Sequence, residues 1–313
     1  MRFRVIFDSD RGKGENVSLT ITKDYRRKFI SFLKKTFEVA DGEFWRKLYS
    51  FREEAGTGRK IRLRKPFTFS VYLGKSFRIE KSFIEASLPF EFLFSTGDPL
   101  VASYFYNGVK KLMYEGYTLP NLFIEMPSRE SSSSQGSTDD ASFGGCVEPS
   151  EGSDNFPKLG IVDLSLARED VIFENTVVFK TKQPILLTDP SRSRKDRDFY
   201  LVPEPHNFGS EKTKRWKEVL CQRVFESYEW ITGKKLPDNL KKFDVEFFSP
   251  GSLRTTRVCH YGVYIPAFKG IFKASGSVEL LNFVYQYGIG VKTGEGFGML
   301  DVIAQGEVNN SGR

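Results

Sequence analysis

The chain has 313 residues, 39% of them hydrophobic, which is enough to build one large domain or two ordinary ones. No run of eighteen apolar residues occurs, so no membrane-spanning helix is expected, and the opening Met1-Arg-Phe-Arg-Val-Ile-Phe alternates instead of forming a signal peptide. The formal net charge is +7, but residues 128–157 carry six acids and one base, which leaves +12 on the remainder. A basic body with an acidic insert suits a polyanion binder, and a basic surface that serves only solubility gives the same numbers. Thirty Phe against three Trp and four Met predict a core dominated by aromatic packing. Cys146, Cys221 and Cys259 are odd in number and far apart, which argues for a reducing cytoplasm and against a disulfide framework.

In chain order, a strand is expected at Arg2–Phe7. A helix follows, in which Tyr25, Phe29, Phe32, Leu33 and Phe37 recur at spacings of three and four, and Arg26, Arg27, Lys34 and Lys35 fill the other face. Strands near Lys60–Leu73 and Ser76–Ser95 precede a helix from about Pro99 to Met113, with Leu100, Val101, Tyr104, Val109, Leu112 and Met113 inward. A strand near Thr118–Met126 closes the unit. Residues 128–157, rich in Ser, Gly and acid, cannot bury enough surface to offset their ordering entropy and read as a disordered linker.

The second half repeats the order less cleanly. Strand-like runs at Val171–Thr181 and Pro184–Leu187 lead to a helix over Glu211–Ile231. Strands at Phe243–Phe248 and Thr255–Tyr264, a helix over Gly276–Tyr287 and a strand at Met299–Ile303 complete it. The expectation is an α+β chain of two tandem ferredoxin-like (βαββαβ) units: residues 1–127, a linker over 128–160, and residues 161–313.

Between the last helix and last strand, Gly288, Gly290, Gly294, Gly296 and Gly298 surround Lys292. A Walker loop is excluded because Lys292-Thr293 follows Val291 and the order is helix then strand. A dinucleotide loop fails because Thr293 occupies the third glycine's place. Two readings stay open: a plain glycine-rich turn, or a loop whose outward amides and Lys292 bind phosphate.

The run Gly288-Ile-Gly-Val-Lys-Thr-Gly-Glu-Gly-Phe-Gly-Met resembles the C-terminal motif of the CRISPR repeat-processing endoribonucleases of the RAMP superfamily. Phe268-Lys-Gly-Ile-Phe-Lys-Ala-Ser-Gly, the opening strand and Pro66-Phe-Thr-Phe-Ser are similar to the corresponding stretches of that family. The resemblance implies RNA cleavage without metal or other cofactor, by attack of a 2′-OH on the adjacent phosphate to leave a 2′,3′-cyclic phosphate and a 5′-OH. It also implies CRISPR repeat RNA as partner, with effector-complex subunits and a homodimer as further expectations. The alternative it allows is a catalytically inactive subunit that holds the guide RNA.

Many family members place a histidine after the first helix. Here residues 38–60 contain none, and the two histidines, His206 and His260, both lie in the second half and read as structural or surface residues. Tyr49, Lys47 and Arg46, with Tyr25 on the helix, remain as catalytic candidates: lysine and arginine to stabilise a phosphorane or supply an acid, tyrosine as a poor base. Against this, Tyr49 reads equally as a core aromatic and Lys47 as a solvated charge. Lys60, Arg62 and Arg64 alternate with Ile61 and Leu63, so three cations either track a phosphate backbone or form an ordinary polar strand face. The basic run at Ser191–Arg197 and Lys269 beside the glycine loop add to the RNA-binding candidates. The two His and three scattered Cys offer no metal-ligand cluster.

Overall fold

The computed structural model describes residues 1–9, 18–53, 60–120, 122–123, 158–196 and 199–306. Four strands and two helices build the first unit: β1 (Arg2–Ser9), α1 (Tyr25–Ala40), β5 (Thr68–Tyr72), β8 (Phe90–Ser95), α3 (Pro99–Tyr114) and β10 (Leu159–Leu166). Added to this frame are β2 (Ser18–Thr22), α2 (Gly42–Leu48), β3 (Phe51–Glu53), β4 (Lys60–Arg62), β6 (Phe77–Ile79), β7 (Phe83–Ser87) and β9 (Thr118–Leu119). The main sheet runs β5-β8-β1-β10-β9, with antiparallel pairing throughout.

The expected fourth strand of this sheet is corrected. Residues 118–119 supply only a two-residue edge strand, and the strand beside β1 is β10, on the far side of residues 128–157. The acidic segment is therefore an insert within the first unit, and 159–166 belongs to the first unit's sheet, not the second's. The sequence hid this because β10 scatters its apolar residues, with Leu159, Ile161 and Leu164 packed on the core and Val162 and Leu166 exposed, a pattern without an address.

α1 and α3 cover one face of the sheet. The predicted α1 stripe is observed, with Tyr25, Phe29, Phe32, Leu33 and Phe37 all buried. In α3, Asp98 caps the Leu100 and Val101 amides with Pro99 in the first turn, where its missing N–H costs nothing. Leu100 is exposed and Phe105 is buried in its stead, so the inward stripe is rotated from the expected one. Phe105 stacks on Phe94 at 4.0 Å, and Phe7 meets Phe29 and Phe32 edge-on, so aromatic rings fill the core as composition suggested.

The second unit repeats the order with β11 (Thr176–Thr181), α4 (Glu211–Thr232), β12 (Phe243–Phe247), β14 (Val263–Gly276), α5 (Val278–Tyr287) and β15 (Leu300–Gln305). β13 (Leu253–His260) is added as a hairpin partner of β14. Its sheet runs β12-β14-β11-β15, so in both sheets the unit's first and third strands sit at the centre. α4 begins at a Ser210 cap and stops at Gly233, whose φ of 68° suits only glycine comfortably. Pro184–Leu187 forms no strand; a single bridge joins Ile185 to Phe268. Cys221 on α4 is a free thiol, and Cys146 lies outside the described residues.

The uncovered face of the first sheet meets the second unit. Arg2 reaches across to the carbonyls of Tyr285 and Leu300 and to Asp301, and Ser95 donates to the Gln286 carbonyl. Arg26 donates to Gln183, which in turn donates to Ser70 and the Val71 carbonyl. Where these contacts end, the faces separate and leave a cleft.

Candidate nucleic-acid interface

The glycine run leaves α5 at Gly288, folds into a short 3-10 turn at Thr293–Glu295 and enters β15. Most of it is buried. The Ile289 and Gly298 amides donate to the carbonyls of Gly298 and Pro184, and the Val291 amide to that of Leu186. Thr68 of β5 donates its hydroxyl to the Phe297 carbonyl at 3.0 Å. A Cβ on Gly296 would lie 2.7 Å from the Phe69 ring, and one on Gly298 would land on the Ile289 carbonyl oxygen. Close packing between the two units is thus what these glycines accomplish. The Thr293 and Gly294 amides find no acceptor among the described residues, and both residues line a cavity of about 230 Å³ with Arg64, Lys65 and Ser227.

Lys292, at the loop's apex, adopts φ 59° and is exposed. Its ammonium lies 2.7 Å from Glu295, whose same oxygen Oε2 sits 2.7 Å from Nε2 of His260. Burial would raise the Glu295 pKa, but the His260 hydrogen bond and the Lys292 charge and hydrogen bond outweigh it and hold the carboxyl at about 2. His260 is buried, with its ring edge-on to Phe297 and Tyr261. The adjoining Tyr261 amide donates to Asp24 at the start of α1, so the β13-β14 hairpin ties the loop to the first unit. His206 is exposed on the segment before α4.

The four catalytic candidates are not gathered. Tyr25 is buried at the start of α1, with the Arg26 guanidinium 4.9 Å from its ring centre. Tyr49 lies beyond α2, edge-on to Trp45, with Lys65 Nζ 4.2 Å and Lys34 Nζ 5.7 Å from its ring centre. Lys34 stands about 13 Å further along α1 than Tyr25, by helix rise. Lys47 pairs with Glu43 on the exposed face of α2, which raises its pKa through that hydrogen bond and charge, and Arg46 is exposed beside it.

Lys65 and Lys34 are the cations that accompany Tyr49, and the sequence reading named neither as a site residue, Lys34 standing only on the polar face of the helix. Lys65 had a signal that could have found it. That signal was position: Lys65 precedes Pro66-Phe-Thr-Phe-Ser, and its stem packs on Gly294, where a Cβ would come within 2.7 Å. The alternation read through Lys60, Arg62 and Arg64 ends early, because β4 stops at Arg62. The side chains of Lys60 and Arg62 fall outside the described residues. Arg64 instead bonds Glu226 at 2.8 Å and Ser227 on α4, so its guanidinium fastens the two units. Of the basic run at 191–197, residues 191–196 form turns in which Arg192, Arg194 and Lys195 are exposed, and Arg197 lies outside the described residues.

The cleft between the sheets has a volume of about 610 Å³. Lys23, Arg26, Lys182, Arg257 and Lys269 line it with one acid, Glu91, which is paired with Arg4. Lys269 is exposed at the cleft, and desolvation by the surrounding walls, with nearby Arg26, lowers its pKa. Among the described residues Arg257 and Lys269 make no ion pair. The site is therefore cationic and incompletely neutralised, which is what an anionic chain requires. No group of three or more His, Cys, Asp or Glu able to hold a metal occurs among the described residues.

The family model for the C-terminal domain of the CRISPR-associated protein Cas6 matches residues 167–302. That segment is 136 of the 313 residues, less than half of the chain. It begins one residue after β10 ends, so the Cas6 match spans the second unit and contains the whole glycine loop. The CRISPR-associated endoribonuclease-like protein Cas6nc of Pyrococcus horikoshii is 32% identical over 127 residues, 40% of this chain, and the match spans about half of that relative, 48%. A structure described as an RAMP protein binding different RNA substrates superposes with TM-score 0.67 at 17% identity, covering 97% of this chain and all of the other. The product of a Cas6-related gene from Pyrococcus furiosus gives the same score and identity over 98% and 99% of the two chains. These structural likenesses establish a shared mixed α/β fold with antiparallel sheets.

Proposed function

We propose that the chain processes CRISPR repeat RNA, built as two tandem ferredoxin-like units that hold the RNA between them. The observation that carries this reading is the glycine loop within the Cas6 match standing beside a cleft lined by five cations. Cleavage would be transesterification. The 2′-oxygen attacks phosphorus as its proton departs, the bond to the 5′-oxygen breaks, and that oxygen takes a proton, leaving a 2′,3′-cyclic phosphate and a 5′-OH. Lys65 and Lys34, held over Tyr49 near the loop, are suited to stabilise the phosphorane and to protonate the leaving oxygen. In-line placement of the 2′-OH supplies a further part of the acceleration.

A second reading, RNA binding without cleavage within an effector complex, is favoured by one observation. The first half, where many family members place the histidine base, contains no histidine, and His260 is buried against Glu295. Incubation of end-labelled repeat RNA with the protein in EDTA decides between them. Cleavage that leaves a cyclic phosphate, with no rate inflection near pH 6.5, supports the nuclease. Tight binding with intact RNA supports the holding role, and failure of both would restrict the kinship to fold.

A further inference from the structure

The rim of the cleft carries large apolar side chains that the fold does not use. On β6, the edge strand of the small β2-β7-β6 sheet, Phe77 and Ile79 are 53% and 64% exposed, and Tyr72 at the end of β5 is 50% exposed. Phe77 and Ile79 are two residues apart and so point to the same face of β6, and all three residues line the cleft. An edge strand bearing such residues invites aggregation unless they have another use. Opposite them stand Arg257, Lys269 and Tyr264, the last with Lys23 Nζ 5.8 Å from its ring centre.

We infer that this rim is a base-stacking platform, and that the cleft takes unpaired RNA, with bases laid on Phe77, Tyr72 and Ile79 and phosphates on Arg257 and Lys269. The charge across the cleft selects the occupant: an apolar lip facing unneutralised cations matches a polymer with flat apolar faces on an anionic backbone. A duplex would offer the cations its phosphates, but its bases are stacked on one another and unavailable to the rim. Arg78, between the two apolar residues on β6, is exposed and paired with Glu80 on the same hairpin, leaving the platform itself apolar.

This inference rests on the RNA-binding part of the proposed function and not on cleavage or repeat specificity, so the experiment uses RNA of arbitrary sequence. Affinity of the full chain would be measured by fluorescence anisotropy for a single strand of about ten nucleotides, for the same strand with abasic positions, and for its duplex. Phe77→Ala should weaken binding of the intact strand about tenfold, one stacking contact's worth, while Phe77→Trp restores it. The abasic strand should be insensitive to Phe77→Ala. The salt dependence of binding should not change in Phe77→Ala, whereas Lys269→Ala should lower its slope by about 0.7, the value for one phosphate contact on a single strand. Equal affinity of Phe77→Ala and the parent for the intact strand would overturn the platform. So would a loss of self-association in Phe77→Ala with RNA affinity intact, which would make the rim a protein contact. Should repeat RNA prove no better a ligand than arbitrary RNA, the processing role would fall while the platform stood.

Discussion

At the scale of single residues, the Glu295 carboxylate makes a prediction with a definite sign. Its folded pKa, about 2, lies below the ordinary 4.5, so the folded state favours the ionised form. The stabilisation is fully present above pH 4.5 and is lost as the pH falls through about 2, a difference on the order of 3 kcal/mol. Glu295→Gln should therefore lower stability at pH 7 and cost much less at pH 3. Urea unfolding of both proteins at the two pH values measures this, and an equal cost at both would show that the cluster at the loop's apex is not held by charge. Lys65→Met tests the Tyr49 cluster. It keeps the stem that packs on Gly294 and removes the ammonium, so single-turnover cleavage should fall about a hundredfold. RNA affinity should change little, because the cleft's cations lie elsewhere.

At the scale of elements, the glycine loop was legible as a motif but not in its physical use. Five glycines in eleven residues suggested amides turned outward. The structure spends several of those amides inward, and Gly294 and Gly296 let the loop lie against Lys65 and Phe69. No local pattern says what a glycine lacks a side chain for. Gly296 has φ 85° as well as the close ring, so Gly296→Ala should destabilise by about 2 kcal/mol or more, read as a lowered urea midpoint. A neutral result would mean that the loop does not bear on β5. Helices were the most readable elements: α1 announces itself by the period of its buried stripe, and the ends of α4 and α5 fall within two residues of their expected places. β10 and Arg64 were not readable, because a strand's partner and a guanidinium's target are long-range facts. Lys65 was missed for the same reason: only folding brings it over Tyr49.

At the scale of the whole molecule, the two units are joined by buried polar ties, not by a shared apolar core. The hydrophobic clusters are separate, one in the first unit and two in the second, while Arg2, Ser95, Thr68 and Gln183 cross between them. Arg2 is the strongest of these. Arg2 is 4% exposed, and its guanidinium donates to two carbonyls and to Asp301 and lies 3.7 Å from the Tyr285 ring centre. Removing it leaves two buried carbonyls without their donor, and breaking a buried pair of this kind costs about 3–5 kcal/mol. Such ties couple the units without making either core depend on the other. The parent protein should then unfold in one calorimetric transition whose van't Hoff and calorimetric enthalpies agree. Arg2→Ala should separate that transition into two, and the cleft, whose walls come from both units, should lose RNA affinity before either unit melts. Two transitions already in the parent would mean that the units unfold independently, and that the cleft's geometry is set by the RNA and not by Arg2.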